Sequence, residues 1–313
     1  MNMLLTFIIP LYNCEKYIVR CLNSIYSCGL GESDFEVVVV NDGSEDRSME
    51  IVAEFARTKN NLTLLNFKNR GTATARNEGL NVAKGEWIWF VDADDEICKD
   101  AAAMAFADVD NSIDAICFCN AKGIISGIQY LKESNGRLYV WDKIFRNVTI
   151  ANYRFLDGLK NIEDMLFCYT VMLSMENIKC ISEMLYVYNS DNVHSTSRNK
   201  TKRNLVKNSM DSQMVLDTIQ KMILSENIAR KKSVLQNAFN FTMAGYLYSL
   251  MVYYSPSYMC RQLKKMSLNG WYPAMRSNNR KANIFINIIG NNKSLLLVCC
   301  WLCGLKNRMC TIA

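Results

Sequence analysis

The stretch "FEVVVVNDGS", residues 35–44, constrains this chain more than any other. Four consecutive valines carry no alternation, so a strand built from them presents apolar side chains to both faces and needs cover on both. The pattern recurs through the first hundred residues. "LLTFIIP" is an unbroken apolar run closed by Pro10, "LTLLNF" reads as a third strand and "EWIWFV" as a fourth. Between them, "EKYIVRCLNSIYSC" sets Ile18, Cys21, Leu22 and Ile25 on one helical face, and "SMEIVAEFART" and "TATARNEGLNVAK" also read as helices. Strand and helix alternating at this spacing predict an α/β fold, with a mostly parallel central sheet flanked by helices.

In open sheets of this kind ligands bind outside the carboxyl ends of the strands. The four predicted strands end in "PLYN", "NDGS", "KNRG" and "DADD", so polar and acidic residues should share one rim. The last is the sharpest signal: a buried run leads straight into Asp92, Asp94 and Asp95. Such carboxylates either stand in water, with Asp95 or Glu96 capping the next segment, or surround a cation. The Asp92/Asp94 spacing lets both reach one side of a turn, and Mg2+ or Mn2+ takes one or two carboxylates plus substrate phosphates. Spacing alone leaves these two readings level. Asp42 is likewise either an Asx-turn residue or an acceptor for a base imide N–H or a ribose hydroxyl. Asn69, Gly71 and Arg76 are ambiguous one by one; Arg76 either grips a diphosphate or pairs with a nearby acid.

Half of the 313 residues are apolar and 21% are charged, a balance that excludes disorder and supplies a core. The net charge of +6 is drawn mostly from the second half, where "TSRNKTKRNLVK" and "RKKS" cluster. That is a solvated face or a surface for nucleotide phosphate or anionic lipid, and no nucleic-acid partner is expected. Thirteen cysteines lie scattered in apolar segments, which indicates buried free thiols. Cys117/Cys119 and Cys300/Cys303 lack the second pair a structural zinc site needs. The opening "MNMLLTFIIPLYN" has no basic leader and reads as a strand, so the expected setting is reducing and cytoplasmic.

Beyond residue 100 the regularity loosens. "DAAAMAFADV" reads as a helix, "DAICFC" as a strand, and "IKCISEMLYVYN" as two short strands. "LKNIEDMLFCYTVML" puts Glu163 and Asp164 at the head of an apolar helix, and "SDNVHSTSR" is a loop holding the only histidine. From about residue 200 the pattern is helical. Residues 234–254 are long enough to span a bilayer, but Gln236, Asn237, Asn240 and Thr242 favour a core helix. "SLLLVCCWLCGL" is too short to cross; with Lys306 and Arg308 just after it, it suits a membrane interface. No Gly-x-Gly-x-x-Gly comes after the first strand, and neither a Gly-Lys-Ser/Thr loop nor a Gly-x-Ser-x-Gly elbow occurs, which argues against dehydrogenases, P-loop enzymes and serine hydrolases.

Four segments in order, "TFIIPLYNCEKYIVRCLNSI", "EVVVVNDGSEDRS", "NRGTATARNEGLNVAKGEWIWFVDADDE" and "RFLDGLKNIEDMLF", resemble the family 2 glycosyltransferases of the GT-A fold through about the first 200 residues. The resemblance implies inverting transfer of a sugar from a UDP-sugar or other nucleotide-diphosphate sugar, with Mn2+ or Mg2+. The acceptor would be a hydroxyl of a glycan or lipid-linked saccharide in surface polysaccharide synthesis. It also implies that Pro10, Tyr12 and Asn13 line the nucleotide pocket, that Asp42 meets the uracil, and that Asn69 and Arg76 lie near base and diphosphate. Asp92 and Ala93 would contact the nucleotide sugar; Asp92 and Asp94 match the metal motif, with Asp94 the direct ligand. Asp164 matches the catalytic base, with Glu163 the alternative. His194 is either a further metal ligand or a surface residue. Trp141, Asp142 and Lys143 fall where the family lines its acceptor cleft, although Trp141 suits a core equally well.

Two departures stand out. About 40 residues separate "DADD" from "YVWDKIF", which implies an abbreviated or open acceptor side, and Arg47 replaces a smaller residue. The expected division is a catalytic domain over 1–199 and a helical region over 200–313, membrane-associating or acceptor-side. The expected location is cytoplasmic, peripheral on the inner face of the cell membrane. Two rival readings are a metal-dependent nucleotidyltransferase, which needs no base at Asp164, and a non-catalytic nucleotide-sugar-binding or scaffold protein, indifferent to Asp164→Asn.

Overall fold

A computed structural model describes residues 3–134, 136, 138–159, 161–190 and 202–309, with side chains from 209 to 303 in the last stretch. The chain divides into two compact units, residues 1–130 with 137–195, and residues 131–136 with 196–313.

The first unit opens with β1 (Leu5–Leu11), α1 (Ile18–Ile25), β2 (Phe35–Asp42), α2 (Ser48–Ala56), β3 (Leu62–Phe67), α3 (Thr72–Val82) and β4 (Trp87–Phe90). These are the expected βαβ units, and β3, β2, β1 and β4 lie side by side, all parallel. Every residue of β2 is buried, as the valine run requires. A strand buried on both faces has no alternation to fix its register. Polar contacts at its ends do that instead. At the amino ends, the Thr6 hydroxyl donates to Glu36 Oε1 (2.7 Å), and the Lys84 and Gly85 amides donate to Glu36 and Thr6. At the carboxyl ends, Asn41 donates to Asn66 (2.8 Å). Helix α3 lies so close to β1 that a Cβ on Gly79 would come within 2.4 Å of Ile8 Cγ2, so only glycine fits there.

The chain continues with β5 (Glu96–Ile97), α4 (Ala101–Phe106), β6 (Ala115–Phe118), β7 (Gly123–Ile125), α5 (Gly127–Glu133, its last three residues assigned to the second unit), β8 (Lys143–Arg146), α6 (Asn147–Ile150), α7 (Glu163–Met172), β9 (Ile178–Ile181) and β10 (Tyr186–Val187). The sheet extends in the order β3-β2-β1-β4-β8-β6-β9-β7. It is antiparallel at β4–β8, β6–β8 and β7–β9. Strands β5 and β10 form a separate antiparallel pair beside the acidic turn. Strand β8 starts at Lys143, because side chains take the backbone groups just before it: Val140 N–H donates to Asp164, and the Tyr139 carbonyl accepts from Lys143 Nζ.

The second unit contains α8 (Lys202–Ser225), α9 (Ala229–Tyr253), α10 (Pro256–Leu268), α11 (Arg280–Phe285), a π-helical turn at Ile286–Gly290, and α12 (Lys293–Met309). Helix α9 buries Val234, Leu235, Phe239, Leu247 and Leu250, and it also buries Asn240, which donates to the Arg276 carbonyl (2.7 Å). This segment is a core helix, as its polar residues require. Among the described residues no single helix is long and apolar enough to cross a membrane; Arg280–Gly290 and Lys293–Cys303 pass that test only as a pair, bent by 98°. The twelve described cysteines are all free thiols.

Candidate active site

Parallel pairing gathers the predicted residues on one rim. Pro10 pairs with Val40 and Ile8 with Phe90, which brings "PLYN", the end of β2 and "DADD" together. The first two loops are stitched to each other. Asn13, at a left-handed φ of 51°, donates its N–H to Ser44 Oγ and accepts from the Glu45 N–H (2.8 Å). The Cys14 amide donates to Ser48 Oγ and the Glu15 amide to Asp46. Tyr12 and Asn69 stay exposed on this rim. Asp42 is buried, and its two oxygens accept from the Arg70 and Gly71 amides (2.7 and 2.8 Å). It thereby places a negative charge at the start of α3, where the helix dipole favours one. Gly71 serves there with φ 97°, a conformation that side chains resist.

Arg76, one turn into α3, is 3% exposed and does not face solvent. Its guanidinium reaches three carboxylates from two distant segments: Asp92 Oδ1 (3.0 Å), Glu163 Oε1 (3.1 Å) and Asp164 Oδ1 (2.5 Å). Of the two readings open at this position, pairing with acids is the one present, and those acids lie far from its own helix in sequence. Burial opposes the Arg76 charge, but Asp164, Asp92 and Glu163 outweigh that and raise its pKa. One cation among three acids leaves an excess of negative charge. Burial above all pushes Asp164 up to about 7; Glu163 and Asp92 add to this, while Arg76 and the Val140 N–H act against it.

Asp94 and Asp92 both stand near the Cys14 thiol, which burial first and then Asp94 push up to about 12. Asp95 points inward: it accepts from the Tyr186 hydroxyl (2.7 Å) and the Asn189 N–H (2.7 Å), and burial raises it to about 7. Tyr186 in turn accepts from the Asp92 N–H (3.0 Å), so one phenol ties the turn of "DADD" to β10. Among the described residues no three His, Cys, Asp or Glu side chains are arranged to hold a metal ion. Half-buried Asp92 and Asp94 nonetheless fit magnesium or manganese held jointly with diphosphate oxygens, since they are hard oxygen donors beside an open rim. His194 lies outside the described residues.

The model of glycosyl transferase family 2 matches residues 6–170, more than half of the chain and all of the segment from β1 into α7. The chain belongs to that family. Its relatives include the uncharacterised glycosyltransferase EpsJ of Bacillus subtilis, 28% identical over 210 residues, covering 59% of this chain and 60% of EpsJ. The poly(ribitol-phosphate) β-N-acetylglucosaminyltransferase TarS of Staphylococcus aureus is 33% identical over 198 residues, 58% of this chain and 34% of TarS. The chain therefore spans less than two thirds of the length of these relatives. A crystal structure of S. aureus TarS residues 1–349 with UDP-GlcNAc superimposes with a TM-score of 0.61 at 22% identity, covering 88% of this chain and 95% of that one. The fold is GT-A.

Within this family member, the positions expected at the acceptor cleft separate. Lys143 is fully buried, donating to Asp142 Oδ1 (2.6 Å) and the Tyr139 carbonyl (2.7 Å), so it cannot line a cleft. Asp142 is its partner in a partly buried ion pair; burial raises its pKa and Lys143 opposes the rise. The expectation for Lys143 is corrected, because an ammonium with no exposed surface is unavailable to a ligand; Asp142, whose side chain is 13% exposed, is engaged with it through Oδ1. Trp141 is half-buried in an aromatic stack, its ring centroid 5.2 Å from Tyr139, 4.6 Å from Tyr186 and 6.4 Å from Tyr188. Tyr139 and Tyr188, each nearly half exposed, are the rings this stack offers to solvent. Sequence reading missed both, and also Tyr186. The available signal was the alternate spacing of Tyr186 and Tyr188 in "LYVYN", but nothing local shows that these rings meet Trp141.

Proposed function

We propose that this chain is a metal-dependent, inverting glycosyltransferase that moves a sugar from a nucleotide-diphosphate donor to a saccharide hydroxyl. The observation that carries the reading is the Arg76 bridge, which holds a rim acid, Asp92, and the carboxylate at the head of α7, Asp164, on one guanidinium. That supports the reading, because a single displacement needs its donor-side and acceptor-side groups held in a fixed relation.

The donor nucleotide lies across the rim, against Pro10, Tyr12, Asn13 and Asn69, with Asp42 holding the loop before α3. Asp92 and Asp94 carry the diphosphate end; Ala93 between them, expected to contact the donor, is buried in the core and sets their spacing. A bound Mg2+ or Mn2+ at Asp92 and Asp94 would neutralise the charge that develops on the leaving diphosphate. Asp164 takes the proton of the acceptor hydroxyl. A carboxylate that burial raises to about 7 matches that task near neutral pH. Arg76 keeps Asp164 ionisable and oriented, and Glu163 supports Arg76. Tyr139 and Tyr188 offer flat rings on which a pyranose face stacks, with Trp141 beneath them. Residues 1–199 form the catalytic part in this reading.

TarS is named for transfer of N-acetylglucosamine to poly(ribitol phosphate), and its relatedness supports a cell-surface polymer or its lipid-linked precursor as the acceptor class. A UDP-GlcNAc complex of TarS and a GDP-mannose and Mn2+ complex of a Pyrobaculum calidifontis mannosyltransferase, each sharing this fold, support a nucleotide sugar and a divalent ion. The setting is the cytoplasmic side of a membrane surface. The family assignment speaks against nucleotidyl transfer and against a purely binding role.

The test is a panel of UDP- and GDP-sugars incubated with protein and Mn2+, with nucleotide release as the readout and EDTA and Asp94→Ala as controls. Slow release from one donor, abolished by both controls, is expected. Release unaffected by either control refutes the metal reading, and absence of binding by every donor refutes the donor site.

A further inference from the structure

We propose that the end of the chain forms a face that docks on an anionic lipid bilayer, with the bent pair of α11 and α12 lying in the membrane interface. Three observations combine. The first is charge. No Asp or Glu occurs after Glu226, whereas twelve of the 36 Lys and Arg do. The chain is therefore segregated: the first 226 residues hold all 30 acids and the other 24 basic residues, formally −6, and the last 87 residues are formally +12. The overall +6 conceals that division.

The second observation is exposed apolar surface in the same segment. Ile284, Ile288, Val298, Trp301 and Leu302 are each half or more exposed, while Ile286, Leu296 and Cys300 on these elements are buried. The pair is therefore apolar both toward the protein and away from it. Arg280, Lys281 and Lys293, all exposed, stand at the starts of its two arms. Aliphatic residues and a tryptophan flanked by basic residues make up the composition of a helix that lies in a headgroup region.

The third is shape. Arg280–Gly290 and Lys293–Cys303 meet at 98°, so the pair does not form a straight span, and both arms can lie in one plane. Other occupants fit less well. A second copy of this face would set Arg280, Lys281 and Lys293 against themselves, with no Asp or Glu in the segment to compensate, and nucleic acid gives no partner to exposed Val298, Trp301 and Leu302. Anionic lipid answers both features, attracting the basic residues and accepting the apolar ones.

This inference deepens the reading of a lipid-held acceptor, and its test measures binding, not turnover. Full-length protein is sedimented with phosphatidylcholine vesicles with and without phosphatidylglycerol, at low and high salt. Binding should need phosphatidylglycerol and weaken with salt. Trp301→Ser/Leu302→Ser and, separately, Arg280→Glu/Lys281→Glu should each weaken it on the order of tenfold. Circular dichroism and nucleotide release from the donor should match wild type in both variants. Equal recovery with and without vesicles, undiminished binding by both variants, or preferential retention on RNA or DNA overturns the proposal. So does a dimer that Trp301→Ser/Leu302→Ser dissociates. Donor turnover without vesicle binding would sink this inference and leave the transferase intact; vesicle binding without donor binding would do the reverse.

Discussion

Replacing Arg76 with methionine removes one buried cation from between three carboxylates while keeping much of the volume. Breaking a buried ion pair by deleting one partner costs about 3–5 kcal/mol, because the remaining charge is left without compensation. For a unit of this size each kcal/mol lowers the melting temperature by about 2–4 °C, so a loss of about 10 °C is expected near pH 8. The pH dependence distinguishes this mechanism from simple loss of packing. Asp164 has a folded pKa raised to about 7, above its unfolded value, so its contribution to stability is full in acid and is lost as pH rises through 7. Arg76 is the group that restrains that rise. Without it the folded pKa climbs further, and the penalty at about pH 8 grows, whereas at about pH 5 Asp164 is protonated in both proteins. The deficit of Arg76→Met should therefore shrink by at least about half in acid, and adding Asp164→Asn should recover part of it at pH 8. Thermal melting monitored by circular dichroism at the two pH values reads both effects. A deficit equal at both, with no recovery from Asp164→Asn, would refute the electrostatic account.

In steady-state kinetics, Asp164→Asn should lower kcat on the order of a hundredfold to ten-thousandfold with donor KM nearly unchanged. The wild-type rate should fall as pH drops below about 7, and a variant that retains this limb argues for another base. Tyr139→Ala and Tyr188→Ala should each raise acceptor KM roughly twofold to tenfold, for the loss of about 0.5–1.5 kcal/mol of stacking, and leave donor hydrolysis alone; an unchanged acceptor KM removes the platform. Gly79→Ala forces a Cβ against Ile8 and should destabilise by about 1–3 kcal/mol, visible as a lower melting temperature. An unshifted melt would contradict the close approach of α3 to β1.

The sheet and its rim are legible in the order of residues alone. The valine run cannot be half-buried, βαβ spacing makes its neighbours parallel, and parallel strands end on the same side, so "PLYN", "NDGS" and "DADD" had to converge. Periodicity also placed Glu163 and Asp164 at a helix start, and the polar residues of α9 marked it as core. What no local pattern contains is where a long side chain turns. Arg76 and Asp164 are 88 residues apart, Tyr186 and Asp95 are 91 apart, and only the assembled sheet brings each pair into contact. Lys143 and Trp141, neighbours in one segment, part company because β8 directs the lysine into an interior where Asp142 pairs with it, while the indole joins a stack built from β10. Strand direction arises from the chemistry of each short run, but the burial and protonation of a charged group depend on every other group that surrounds it, and tertiary packing alone assembles those.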